Sequence, residues 1–547
     1  MMDYYDLGTY SRRVTTDSET AQLWFDRGLV WIYAYNHEEA IACFKNAIEA
    51  DPYCAMAYWG IAYAIGPNYN KPWEAFEEDE KPDALALARD AIKQAAGLTD
   101  KVTPVERALI EAIPHRYPED ATVEDFAPWN DAYADAMRGV YKNHAGDLDI
   151  CALFAEAIMN RTPWQLWDLP SGQPAEGADT LEAITVLEAA FDSLNGAWDH
   201  PGLLHMYIHL MEMSPHPERA LRQGDRLSKL VPDAGHLLHM ATHIDVLCGD
   251  YMNVVLRNHT AIVADRKFLE REGAENFYAL YRCHNYHFKI YGAMFLAQPT
   301  PALETADELM ASLPEPTLRP MADWLEAFVP MKQHVLIRFG RWQDILAQPL
   351  PEDEDLYCTT LAMMRYARTV ALANTSDIAG AEAERDLFFV ARDRVPESRM
   401  LFNNTCPDIL RVAEQMLLGE LEYHKGNVDT SFEHLRQSVE LDDTLPYDEP
   451  WGWMQPTRHA LGALLLEQGR YEEAEAAYRA DLGLDTTLSR ACQHPSNVWS
   501  LHGLHECLTR RGETAEAAHI KLQLDKAAAR AEIPIKASCF CRHRAAA

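Results

Sequence analysis

Residues 21–54 read AQLWFDRGLVWIYAYNHEEAIACFKNAIEADPYC. Trp24, Gly28 and Trp31 recur at helical spacing, and Ala40, Phe44 and Ala47 do the same after a polar break. Pro52 closes the stretch. Small residues at this spacing let two helices approach, and aromatics fill the space between them. The stretch predicts a helix–turn–helix packed face to face.

The pattern is that of the 34-residue tetratricopeptide repeat (TPR). A second match runs from Pro456 to Asp485, with Leu461, Gly462, Ala474 and Tyr478 in register. Weaker copies cover 361–388, 419–441 and 499–524. Each copy leaves an apolar face that only its neighbour can cover, so the units stack. The expected fold is all-α, a TPR-like α-solenoid with a His-rich central segment. Its expected organisation is an N-terminal arm and repeats over 1–100, a central helical segment over 101–300, C-terminal TPR-like repeats over 301–530 and a tail over 531–547. Arg161–Asp179, rich in Pro, Gly and Trp, reads as a long inserted loop, and such loops are often functional.

The chain has 547 residues, 48% hydrophobic and 24% charged, as expected of a globular protein with a real core. Its net charge of −35 repels phosphate backbones and anionic membranes, so neither nucleic acid nor a membrane is an expected partner. No apolar run reaches the ~20 residues of a membrane span. The first twenty residues lack an apolar signal core, so a cytoplasmic location is expected, with its eleven cysteines mostly free thiols.

Ten of the twenty-two histidines fall between His200 and His287. Six form close pairs: His205/His209, His239/His243 and His284/His287. A spacing of three or four puts two imidazoles on one helix face, where both reach a single ion. These six are the expected metal ligands. Glu156 and Asn160, four apart on an earlier helix, are candidate oxygen ligands or groups that fix the imidazole tautomers. His200, His216, His236 and His259 read as structural or capping residues, as does a smaller group, His494, His502 and His505. In the tail, Cys539, Cys541 and His543 form a weaker metal motif. HExxH, phosphate-binding Gly-rich loops and GxSxG are absent from the sequence.

Several segments together resemble a family of TPR proteins of bacteria and fungi that carries paired-histidine motifs. They are Trp24–Asn70, TPVERALIEAI, DICALFAEAIMNRTPWQLW, HPGLLHMYIHLMEMSPHPERA, AGHLLHMATHI and CHNYHF. The resemblance covers most of the chain. It implies site positions at His37, Trp59, Asn68, Asn70 and Glu156, besides the six paired histidines. This chain reads HMATHI where relatives read His-Met-Pro-Ser-His, and Cys283 where relatives often have Pro. The resemblance speaks for fold and site more than for reaction.

An imidazole-rich site without thiolate suits copper, iron or zinc. The expected function is a metal-dependent enzyme acting on a small molecule, an oxidoreductase using copper or iron. Glu156, Tyr207, Tyr281 and Tyr286 are its expected catalytic and pocket residues. A zinc-dependent hydrolase is a variant. The alternative is a TPR scaffold that binds a peptide or protein in its groove, with a structural metal or none. Ligand exposure discriminates them, because an enzyme needs an open coordination position and a scaffold does not.

Overall fold

A computed structural model describes residues 4–117 and 125–542. The described chain is helical nearly throughout; its strands are two short antiparallel ladders, Trp167–Asp168 with Gln173–Pro174 and Met400–Leu401 with Asn404–Thr405. No helix among the described residues is long and apolar enough to cross a membrane. Two compact units are present. The first holds residues 1–244, 263–271 and 276–278; the second holds 245–262, 272–275 and 279–547.

In the first unit, residues 21–54 fold as the helices Glu19–Tyr33 and His37–Ala50. Ser18 caps the first helix by accepting from the Ala21 N–H, and Asn36 caps the second by accepting from the Glu39 N–H. Phe44 is the wedge. A Cβ added at Gly28 on the first helix, or at Gly60 on the following Ala55–Ala64 helix, would lie 2.6 Å from the Phe44 ring. Both glycines are therefore spaces that the phenyl ring fills.

The second unit repeats the device. Tyr478 stands on the Tyr471–Asp481 helix, and a Cβ at Gly462 or Gly503 would meet its ring at 2.5 or 2.2 Å. Helix pairs Cys358–Asn374/Ile378–Arg392, Cys406–His424/Val428–Asp443, Arg458–Glu467/Tyr471–Asp481 and Val498–Arg511/Thr514–Ala528 occupy the stretches where the repeat pattern is read. The turn inside each pair carries one left-handed residue: Ser376, Gly426, Gly469 and Gly512. The first unit's counterpart is Tyr35, at φ +54. The fold is thus all-α and TPR-like, built of stacked helix pairs.

Nine cysteines are free, and Cys539 and Cys541 are joined by a disulfide. His543 lies outside the described residues.

Candidate metal centre

The helix Pro201–Glu212 begins at His200, whose Nδ1 accepts from the Leu203 N–H at 3.1 Å and whose Nε2 donates to Asp149 at 3.2 Å. His200 is thus a cap. One turn on, His205 and His209 lie on one face, and Glu212 follows three residues later. All three are 0% exposed. A second strand of the site comes from Gly235–His239 and the start of the next helix, which supply His236, His239 and His243, also buried.

Hydrogen bonds set the tautomers. His205 Nδ1 lies 2.6 Å from the Tyr33 carbonyl, which can only accept, so Nδ1 carries the proton and Nε2 the lone pair. His209 Nδ1 is 2.9 Å from Glu212 Oε1, and His243 Nδ1 is 3.0 Å from Glu212 Oε2. One carboxylate thereby bonds the His209 imidazole and stands within ion-pair distance of that of His243, the kind of outer partner that metal-ligating histidines carry. Thr242 donates to the His239 carbonyl at 2.7 Å, leaving its oxygen to face His239 Nδ1 at 3.3 Å.

The Nε2 atoms turned inward converge. His205 and His236 approach at 3.1 Å, and His239 and His243 at 2.8 Å. Ligand atoms of His205, His209 and His236 all lie within 4.8 Å of one another. A tetrahedral ion with nitrogens at ~2.1 Å spaces them by ~3.4 Å, close to these separations. His209 Nε2 is buried and has no hydrogen-bond partner. Burial, then the neighbouring imidazoles, pushes the pKa values of His205, His209 and His236 well down, which keeps these rings in the neutral form that binds metal. Burial pushes Glu212 up, and the nearby imidazole of His243 opposes it.

Aromatic rings wall the cluster. Tyr35 stacks on His236 at 5.5 Å and lies 4.6 Å from His205; Tyr69 and Trp164 meet His209 at 4.9 and 5.7 Å. Trp164 belongs to the inserted loop. The left-handed backbone of Tyr35 costs on the order of 1–2 kcal/mol in a residue with a Cβ. Glycine would relieve it but would remove the ring from the imidazoles. Tyr35 and Tyr278 also line a small open cleft with Asn36, His37, Asn68 and Lys71. The Tyr278 hydroxyl accepts from the backbone N–H of His236 at 3.1 Å.

The first unit's other expected positions are not among these donors. Glu156 is buried, bonded to the Tyr63 hydroxyl, and pushed up by burial while Arg116 opposes this. Trp59 packs on Tyr63 at 5.3 Å. Asn68 folds its own turn by accepting from the N–H groups of Asn70 and Lys71, each at 2.9 Å. Burial, with Arg116 adding to it, lowers the His37 pKa to about 3. Tyr207 points to Glu188, to which its hydroxyl donates at 2.7 Å.

Tyr281, Tyr286, His284 and His287 belong to the second unit, all buried. There His287 Nε2 meets Met454 Sδ at 2.8 Å, and His284 packs edge-on against Phe402 at 4.7 Å. His494 Nδ1 and His459 Nε2 both donate to the buried Asp481, at 2.8 and 2.9 Å, a self-contained structural network.

Sequence reasoning did not single out Glu212, and it read His236 as structural. Both had a signal: Glu212 stands three residues after His209, and His236 three before His239, each on the shared helix face.

The tetratricopeptide-repeat model of protein families matches residues 21–54 and 456–486. No curated protein matches the chain. Among solved structures, the APC/C hetero-tetramer Cut9-Hcn1 is 13% identical over 94% of this chain and 77% of that one, with a TM-score of 0.31. Naa15/Naa10 bound to HypK-THB is 14% identical over 93% and 70%, with a TM-score of 0.22. Yeast Tom70 is 12% identical over 90% and 96%, with a TM-score of 0.30. The two repeats matched by the family model are the two whose glycine–aromatic wedges are described above, and the chain is an all-α protein with tetratricopeptide repeats.

Proposed function

We propose that the protein is a TPR-like scaffold whose first unit is organised around a histidine-bound transition-metal ion. His205, His209 and His236 hold the ion, His239 and His243 extend the donor set, and Glu212 fixes the tautomers. The observation that carries this reading is the convergence of buried, neutral Nε2 atoms, one of them without any partner. Apolar packing does not need such an arrangement, and a buried polar group without a partner is costly. Copper, iron and zinc all suit three imidazoles.

The donors are essentially inaccessible, at 0–2% exposure. A site whose four positions are all filled by protein donors is structural, and with His239 or His243 joining the three imidazoles the set closes, which favours a scaffold over an oxidoreductase. Stacked repeats present extended surfaces to peptide or protein partners, and such a partner is part of this reading. One observation supports the enzyme as a second reading. The cleft shares Tyr35 with the imidazole cluster, so a small molecule held there would stand next to the ion.

The test is elemental analysis of untagged protein purified without added metal. One or two equivalents of copper, iron or zinc, lost in the His205→Ala/His209→Ala variant with helical signal retained, is the expected result. Metal-free protein that gains no thermal stability from any of these ions would refute the site. Turnover that disappears on filling the cleft, for instance with Ile41→Trp at a residue that lines it, would favour the enzyme.

A further inference from the structure

Residues 537–542 are docked in the second unit. The Ser538 hydroxyl donates to the His459 carbonyl at 2.8 Å, and Arg338 donates to the Ser538 carbonyl at 2.9 Å. Arg542 forks onto Glu506 at 2.7 and 3.0 Å. These contacts bring Cys539 and Cys541 onto the Cys406–His424 helix beside Glu420, and the two sulfurs and a Glu420 oxygen lie within 4.8 Å of one another. Cys541 is 0% exposed and Glu420 2%.

Glu420 is the informative member. The Asn374 amide donates to its Oε2 at 3.0 Å, and among the described residues no basic side chain pairs with it. A buried carboxylate needs a proton or a cation. Two sulfurs at its side are the softest donors a protein offers, and softness selects zinc-like ions over calcium or magnesium.

We infer that, in its reduced form, the tail holds one thiophilic divalent ion between Cys539, Cys541 and Glu420, and that the ion clips the tail to the second unit. In this structure the sulfurs are joined. A low-molecular-weight thiol opens the S–S bond: two electrons and two protons pass to the cysteines, and two molecules of the reductant leave as their own disulfide. The ion then displaces both thiol protons and the proton of Glu420 to solvent, and Glu420 binds as carboxylate. Oxidation reverses this and releases the ion. The site is chemically distinct from the all-imidazole centre of the first unit.

Cobalt(II) separates the two. The full-length, metal-free chain is kept reduced with a phosphine and titrated with Co²⁺. A near-ultraviolet sulfur-to-cobalt charge-transfer band is expected, and it should saturate at one equivalent where the imidazole centre is removed. It should persist in His205→Ala/His209→Ala, vanish in Cys539→Ser/Cys541→Ser, and require at least tenfold more free cobalt in Glu420→Gln. Circular dichroism checks that each variant is folded. No band in the reduced wild type, a band that survives the double serine substitution, or an unchanged affinity in Glu420→Gln would overturn the assignment.

Discussion

Glu212→Gln is the sharpest perturbation of the proposed metal centre. One oxygen of the wild-type carboxylate accepts from His209 Nδ1 at 2.9 Å, and the other faces His243 Nδ1 at 3.0 Å. The amide keeps the shape but offers one acceptor and one donor. One imidazole therefore faces an N–H₂ group and must move its proton to Nε2, which removes that nitrogen from the donor set. Changes of this kind cost about 10- to 100-fold in metal affinity, or roughly 1.4–2.7 kcal/mol. The metal-free protein should lose little stability, because the substitution also removes a buried ionisable group whose pKa burial raises. The assay is competition with a chromophoric chelator at fixed pH, with thermal unfolding of the metal-free and loaded forms. Glu188→Gln, which touches Tyr207 instead, is the control and should bind like wild type. An affinity of Glu212→Gln equal to wild type would refute the reasoning that a shared carboxylate sets the tautomers.

His236→Ala should lower metal affinity at least tenfold in the same competition, whereas His216→Ala, at a site with 64% of its side chain exposed, should not change it. Gly28→Ala drives a methyl into Phe44 and should destabilise the first unit by about 1–3 kcal/mol in urea unfolding. Adding Phe44→Leu to Gly28→Ala should cost less than the sum of the two single changes, because the smaller side chain relieves the clash. The second unit should weaken in acid. Burial lowers the His334 pKa from 6.5 to about 3, so the folded form binds fewer protons than the unfolded form. Stability is then complete above about pH 6.5 and falls below it, by about 1.4 kcal/mol from this residue alone between about pH 7.5 and pH 5.5. His334→Phe should flatten that part of the profile of unfolding midpoint against pH.

The repeat architecture was legible because close packing restricts residue type. Only a small residue fits opposite Phe44 or Tyr478, so Gly28 and Gly462 announce helix pairs from the sequence alone. The faces of His205/His209 and His239/His243 were legible for a related reason, since helical periodicity fixes which side chains share a face. Other parts left no such mark. The acceptor that sets the His205 tautomer is a main-chain carbonyl, which any residue at position 33 would supply. Tyr35 occupies a turn position where the later repeats mostly have glycine, and its ring shows its use only once the imidazoles are in place. His236 was discounted because it was taken alone, although it continues the face of His239.

The bond between His205 and Tyr33 joins residues 172 positions apart in the chain. During synthesis at roughly 5–20 residues per second, about ten to thirty seconds pass between the two emerging from the ribosome. Throughout that interval the first repeat exists without the imidazoles its Tyr35 ring will cover. His236, His239 and His243 follow later still. At the proposed centre a nascent chain therefore could not capture an ion early, and products that stop short of residue 243 carry only part of the donor set. Metal loading of the proposed centre would then report on completion of its donor set, so the ratio of metal to chain in freshly made protein would measure how much of it has assembled that set.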